Sequence, residues 1–98
     1  MRTMMRVTIP VEAGNAAIKI GRLQRVMEET LTRLKPEAAY FTADKGLRTA
    51  YLFIDVKDQS EIPSLAEPFF QELHAAVEFM PVMNADDLKK GLSQVSAP

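Results

Sequence analysis

The chain has 98 residues, 47% of them hydrophobic and 26% charged, the balance of a globular protein with its own core; the length suits a single domain over residues 1–98 and not two. It contains no cysteine, which excludes disulfides, thiolate nucleophiles and iron–sulfur ligation. Twelve Lys and Arg against thirteen Asp and Glu give a net charge of -1, without the basic surplus by which generic polyanion binders neutralise phosphates.

The opening Met1-Arg2-Thr3-Met4-Met5-Arg6 carries charge where a secretory leader needs its apolar stretch. No run approaches the ~18 apolar residues of a membrane span, so the expectation is a cytoplasmic protein with no membrane partner. The same stretch begins a strand from about Arg2 to Ile9, ended by Pro10, with Met5, Val7 and Ile9 on one side and Met4, Arg6 and Thr8 on the other.

The period then changes to that of a helix: Ile20, Leu23, Met27, Leu31 and Leu34 recur at three- and four-residue spacing, flanked by Val26 and Thr30. Pro36 stops this helix near Lys35. Gly14 and Gly21 argue for a short turn over Asn15 to Lys19 before it rather than one straight rod. A second strand over Ala38 to Thr42 leads to Ala43-Asp44-Lys45-Gly46, which reads as a type I turn with a bulge at Gly46. Arg48 to Val56 is the best strand of the chain, apolar on both faces and so central.

Ser60 reads as the N-cap of the next helix, to Leu73, with Ile62, Leu65, Ala66, Phe69, Phe70 and Leu73 buried. Pro68 in its middle leaves the Ser64 carbonyl without its usual donor and predicts a bend. A fourth strand over Ala76 to Met83, a short helix capped by Asn84 and a frayed tail from Ser93 complete the chain. The order predicts an α+β, ferredoxin-like βαββαβ domain: a four-stranded antiparallel sheet of order 4-1-3-2 with two helices on one face and a short C-terminal helix.

Alternation places Met5, Val7, Ile9, Phe41, Leu52, Ile54, Val77 and Phe79 under the helices. It leaves Met4, Arg6, Thr8, Tyr40, Thr42, Tyr51, Phe53, Glu78 and Met80 on the helix-free face. Three aromatics at about 150–250 Å² each exceed the few hundred Å² of apolar patch that monomers tolerate, so a second copy of the chain is the expected cover.

A ferredoxin-like sheet paired through its open face with a twin resembles the dimeric α/β-barrel superfamily. The stretches Ile9-Pro10-Val11-Glu12-Ala13-Gly14-Asn15-Ala16-Ala17-Ile18-Lys19, Lys35-Pro36-Glu37-Ala38-Ala39-Tyr40-Phe41-Thr42 and Ala66-Glu67-Pro68 are similar to an uncharacterised group of small bacterial proteins within it. Some members of the superfamily are cofactor-independent monooxygenases or isomerases and some degrade haem. The resemblance implies a fold and a dimer, and brings no particular activity.

The residues themselves yield few chemical candidates. His74, the one histidine, falls at a helix C-terminus, where its charge is favourable; with no second N or S ligand, no metal or cofactor is expected. Asp55, Asp58, Glu61, Asp86 and Asp87 lack the spacing of a calcium loop. Tyr51 and Phe53 alternate like the stacking aromatics of an RNA-binding sheet, but Arg48-Thr49-Ala50-Tyr51-Leu52-Phe53 lacks the glycine-rich core of that motif, and no nucleic-acid partner is expected. Arg6 and Glu78 become cross-strand neighbours if the first and fourth strands pair.

The reading is a homodimer holding a small anionic or aromatic molecule between sheet and partner. Arg6, Tyr40, Tyr51, Glu78 and His74 are its candidate contacts, with Met4, Thr8, Phe53 and Met80 at the interface. A cofactor-independent enzyme of the dimeric-barrel type is the alternative.

Overall fold

The computed structural model describes residues 1–95 of the chain. Its elements run β1 (Arg2–Ile9), α1 (Val11–Lys19), α2 (Arg22–Leu34), β2 (Ala38–Asp44), β3 (Leu47–Asp55), α3 (Ile62–Leu73), β4 (Ala76–Pro81) and α4 (Ala85–Ser93), with a 3₁₀ turn over Gln59–Glu61 leading into α3. The strands form one antiparallel sheet in the order β2-β3-β1-β4, the expected order read from the opposite edge. The expected βαββαβ sequence of elements is met in part: two helices rather than one separate β1 from β2.

The extra helix is α1. Its first bond runs from the Gly14 N–H to the Pro10 carbonyl at 2.9 Å. Gly14 is buried because Arg48 crosses the helix there, donating to Asn15 Oδ1 at 2.9 Å and to the Val11 carbonyl at 3.4 Å. A Cβ on Gly14 would stand 2.5 Å from Arg48 Nη1. The glycine that argues against a helix is thus the one that lets this helix approach β3. Gly21, at φ 71°, makes the break before α2, and Ile20 is exposed in that break instead of heading the buried stripe.

Other details depart from the sequence reading, among them Phe70, 41% exposed on α3 rather than buried, and β4, which ends at Pro81 rather than Met83. The β2–β3 connection is a two-residue turn in which Lys45 and Gly46 both have positive φ (53° and 79°), as type I′ requires; Asp44 therefore belongs to the strand. Asp58, not Ser60, caps the entry to α3: its carboxylate accepts from the Ser60 N–H at 3.0 Å while Glu61 accepts from the Asp58 N–H at 3.0 Å. Phe41 lies on the helix side of edge strand β2 but stays 55% exposed, because the helix layer stops short of that edge. Ser93, where the expected tail begins, is still the last residue of α4, and residues 96–98 of that tail lie outside the described residues.

The core is the layer between sheet and helices. Met5, Val7 and Ile9 of β1 and Ala50, Leu52 and Ile54 of β3 meet Ala17, Val26, Leu65, Phe69 and Leu73. Helix α3 runs unbroken through Pro68. The Ser64 carbonyl that Pro68 cannot serve instead accepts from Arg33 Nη1 of α2 at 3.3 Å, so the proline's missing donor is replaced across the helix pair. His74 ends α3 in the left-handed region at φ 52°.

Helix α4 stands apart from this arrangement. Its capping box is complete, with the Asp87 N–H donating to Asn84 Oδ1 at 2.8 Å, yet none of its residues is buried. The Cα radius of gyration is 15.9 Å and the extents are 58 × 28 × 18 Å; a compact chain of 100 residues has a radius of about 13 Å.

Candidate functional site

Pairing register builds the helix-free face in rows. One row reads Ala38, Phe53, Met4, Met80; the next reads Tyr40, Tyr51, Arg6, Glu78; the third reads Thr42, Thr49, Thr8, Ala76; and Asp44 opposite Leu47 closes the hairpin end. The rows follow from two-residue alternation in four strands at one register. Arg6 is thus flanked by Tyr51 on one side and Glu78 on the other, the second of these the pair expected from the sequence.

The polar groups gather around Asp44, which sequence reasoning assigned to the turn. One carboxylate oxygen, Asp44 Oδ2, accepts from Arg6 Nη2 at 2.6 Å and from the Tyr51 hydroxyl at 2.7 Å. Both side chains lean across the threonine row to reach it, and Thr49 in that row is buried, its hydroxyl donating to the Leu47 carbonyl. The Arg6 guanidinium carbon lies 5.8 Å from the centre of the Tyr51 ring, within the range of a cation–π contact. The signal that could have found Asp44 is the Lys45-Gly46 pair, which as a type I′ turn extends β2 to Asp44 and points its side chain to the same face as Tyr40 and Thr42.

Shelter differs sharply within the group. The Arg6 and Asp44 side chains are 27% and 28% exposed, whereas Glu78, 3.7 Å from Arg6 Nη1, is 60% exposed and too distant for a hydrogen bond. Arg6 Nε is fully shielded and donates to no group among the described residues. The hydrogen bond from Tyr51, with help from Arg6, holds the Asp44 carboxyl below its ordinary range. The same bond, reinforced by burial and the negative charge of Asp44, pushes the Tyr51 hydroxyl up.

Apolar groups border this centre. Tyr40 meets Phe53 edge to face at 6.4 Å between ring centroids, a favoured aromatic geometry, and Tyr40 and Met80 are 64% and 52% exposed. Met4 and Thr8 occupy the rows on either side of Arg6, half-buried. His74 does not join them: it is exposed at the end of α3, outside the hydrogen-bonded group. The surface is an open sheet rather than a cleft. Clefts of about 590 Å³ occur instead at the far end of the sheet, one lined by Met1, Thr3, Val56, Ile62 and Phe79 and another by Arg2, Lys35, Glu37 and Asp55.

Among the described residues, no three His, Asp or Glu side chains converge as a metal site requires, and no helix is long and apolar enough to cross a membrane. Compared with models of known families, with curated proteins and with solved structures, the chain matches none. The resemblance to the dimeric α/β-barrel superfamily therefore gains no support from relatives.

Proposed function

We propose that the helix-free face is the working surface of this protein, covered by a second copy of the chain as in the ferredoxin-like dimeric barrels, and that it holds a small organic acid at Arg6. The observation that carries this reading is the polar group of Arg6, Asp44, Tyr51 and Glu78 set beside the apolar side chains of Met4, Tyr40, Phe53 and Met80, on a sheet face that no helix of the core layer covers. Ligand sites are mostly apolar with a few placed polar groups, and this is that mixture.

The division of labour within the group defines the ligand. Asp44 and Tyr51 hold Arg6 in position by its Nη2 edge. The Nη1 edge is held only by charge across 3.7 Å to a wet Glu78, so a ligand carboxylate can take the place of Glu78 there, with the aromatic or aliphatic body of the acid against Tyr40, Phe53 and the methionines. Tyr51 is not poised as a general base. A general base works best with a pKa near the operating pH, and Tyr51 is displaced upward, away from it.

A thermal-shift screen of small aromatic and aliphatic acids tests the reading. Hits should stabilise the wild type, stabilise Glu78→Gln more, and lose their effect in Arg6→Ala. Equal stabilisation of all three proteins by every hit removes Arg6 from the proposal.

A further inference from the structure

The two edges of the sheet are built differently. The bond from the Val82 N–H to the Arg2 carbonyl sets the phase of the β1–β4 ladder. Alternation then turns the backbone groups of Val77, Phe79 and Pro81 outward on β4. Pro81 has no N–H to offer an incoming strand there, and β4 is only six residues long, with Glu78 in its body. On the other side, the bond from the Val56 N–H to the Met1 carbonyl sets the phase of the β1–β3 ladder. Carried through β3, that phase turns the N–H and C=O groups of Ala39, Phe41 and Ala43 outward along β2.

Strand β2 lacks the usual defences of an edge. It runs seven residues, Ala38–Asp44, in one unbroken register with β3, and before Asp44 it contains no proline and no charge. Among the described residues its outward groups pair with no other backbone. Tyr40, Phe41, Thr42 and Ala43 are exposed, and Phe41 borders an apolar cleft of about 210 Å³ with Ile9, Leu23 and Met27. The occupant that satisfies such a row is another extended strand, since only a strand matches its alternation of donors and acceptors.

The residues of the edge favour the same edge of a second copy. An antiparallel twin overlaps the whole strand in one register alone, with Phe41 opposite the partner's Phe41. In that register Ala39 faces the partner's Ala43, Tyr40 the partner's Thr42 and Ala38 the partner's Asp44. Just beyond the strand Glu37 falls opposite the partner's Lys45, and both are exposed. No like charges meet, and opposite charges close both ends. The outward groups of Ala39, Phe41 and Ala43 then exchange both bonds in each of their pairs, across a two-fold axis.

We infer that β2 is a docking edge for a second copy of the chain, joining two four-stranded sheets into one through β2 and its twin. This contact is separate from the cover proposed for the helix-free face, which it leaves open on the same side of both chains. One strand and one ring from each chain make a contact of the small, weak class, so the edge fills at higher concentration than a covered face does.

The chain has no cysteine, so single introduced thiols report the register at submillimolar protein. Residues directly opposite stand about 5.5 Å apart between Cα atoms. Ala39 and the partner's Ala39 are four residues out of step, about 13 Å along the strand. A short bismaleimide should therefore join Phe41→Cys to its twin at least about 10-fold faster than Ala39→Cys, because the pairing holds the thiols together. A mixture of Ala39→Cys with Ala43→Cys, which keeps Phe41 in place, should give the mixed product in preference to either like pair. Ala39→Pro removes an outward donor without touching the ladder to β3. Added to Phe41→Cys, it should leave the circular dichroism unchanged and slow the cross-link to the Ala39→Cys rate. Equal rates for Phe41→Cys and Ala39→Cys, no preference for the mixed product, or a full rate in the proline variant overturns the edge contact. The Phe41→Cys cross-link should persist when Phe53→Asp is added. Its loss there would assign it to the helix-free face and likewise overturn the edge.

Discussion

The two faces of one sheet have opposite fates. On the helix side, Met5, Val7, Leu52 and Phe69 are shut off from solvent. On the other side, Tyr40 and Met80 are more than half exposed, and Tyr51 and Phe53 are only partly covered. The strands are the same, and alternation alone separates the sets. The difference is that the chain closes only the helix side by itself, and on the reading proposed above the aromatics opposite are kept for a partner or ligand that arrives after folding.

The sharpest way to break that comparison is to truncate a phenylalanine on each side. Phe69→Ala removes a fully buried ring from the core and should cost about 3–5 kcal/mol, read as a large fall in the urea midpoint with a normal slope. Phe53→Ala should cost far less in a dilute, monomeric sample, because its ring is only partly covered there. A similar loss at both positions would mean that the open face is part of the core after all.

The next largest effect should be on association. Phe53→Asp places a charge at the centre of the face and faces a desolvation penalty only if a partner covers it. Light scattering should report about twice the chain mass for wild type and a folded monomer for the variant. A variant that associates as the wild type does would move the interface elsewhere.

Smaller still is the effect expected at Pro68, where the well-packed side of the molecule tolerates an unfavourable residue. Pro68→Ala gives the Ser64 carbonyl a backbone donor again and should stabilise the chain by about 1–2 kcal/mol, below the ~3 kcal/mol of the bare propensity difference because ring packing between α2 and α3 is lost. Arg33, which now serves that carbonyl, should become dispensable. The check is a double-mutant cycle with Arg33→Ala, and additive effects would show that the two residues do not share the carbonyl.

Much of this was legible before any coordinates. Two-residue alternation assigned β1 to its residue limits and put Arg6 beside Glu78. The apolar stripes gave α2 and α3 most of their inward faces, with the limits of α2 and the start of α3 misplaced by a residue or two and the end of α3 at Leu73 as expected. What was not legible depends on contacts distant in sequence. Gly14 reads locally as a helix breaker, and only Arg48, brought over it by β3, makes glycine the residue that fits. Asp44 reads as turn chemistry, and only the pairing of β2 with β3 and of β3 with β1 brings it to Tyr51 and Arg6. Asp58 and Ser60 are both good caps, and a two-residue difference is settled by which one Glu61 can reciprocate. No periodicity reports that none of the residues of α4 is buried.

The subtlest expected effect lies in the titration of the open-face cluster, and it compares that face with itself at two ends of the pH scale. Asp44 has a folded pKa below its ordinary value, owing first to the Tyr51 hydrogen bond. Its contribution to stability is therefore present above the usual carboxylate range and is lost as the pH falls through that depressed value. Tyr51 has a folded pKa above its ordinary value, owing first to the same bond; its contribution is present below about pH 10 and is lost as the pH rises through the raised value. The two windows overlap across neutral pH, so the cluster is intact there and loosens at both extremes. With only two tyrosines in the chain, Tyr40→Phe leaves Tyr51 as the single source of tyrosinate absorbance. In that background the absorbance midpoint should lie above about pH 10 and fall toward it in Tyr40→Phe/Asp44→Ala. A midpoint that does not move when the carboxylate is removed would show that Asp44 does not hold the hydroxyl in solution, and that Arg6 is positioned by something other than this pair.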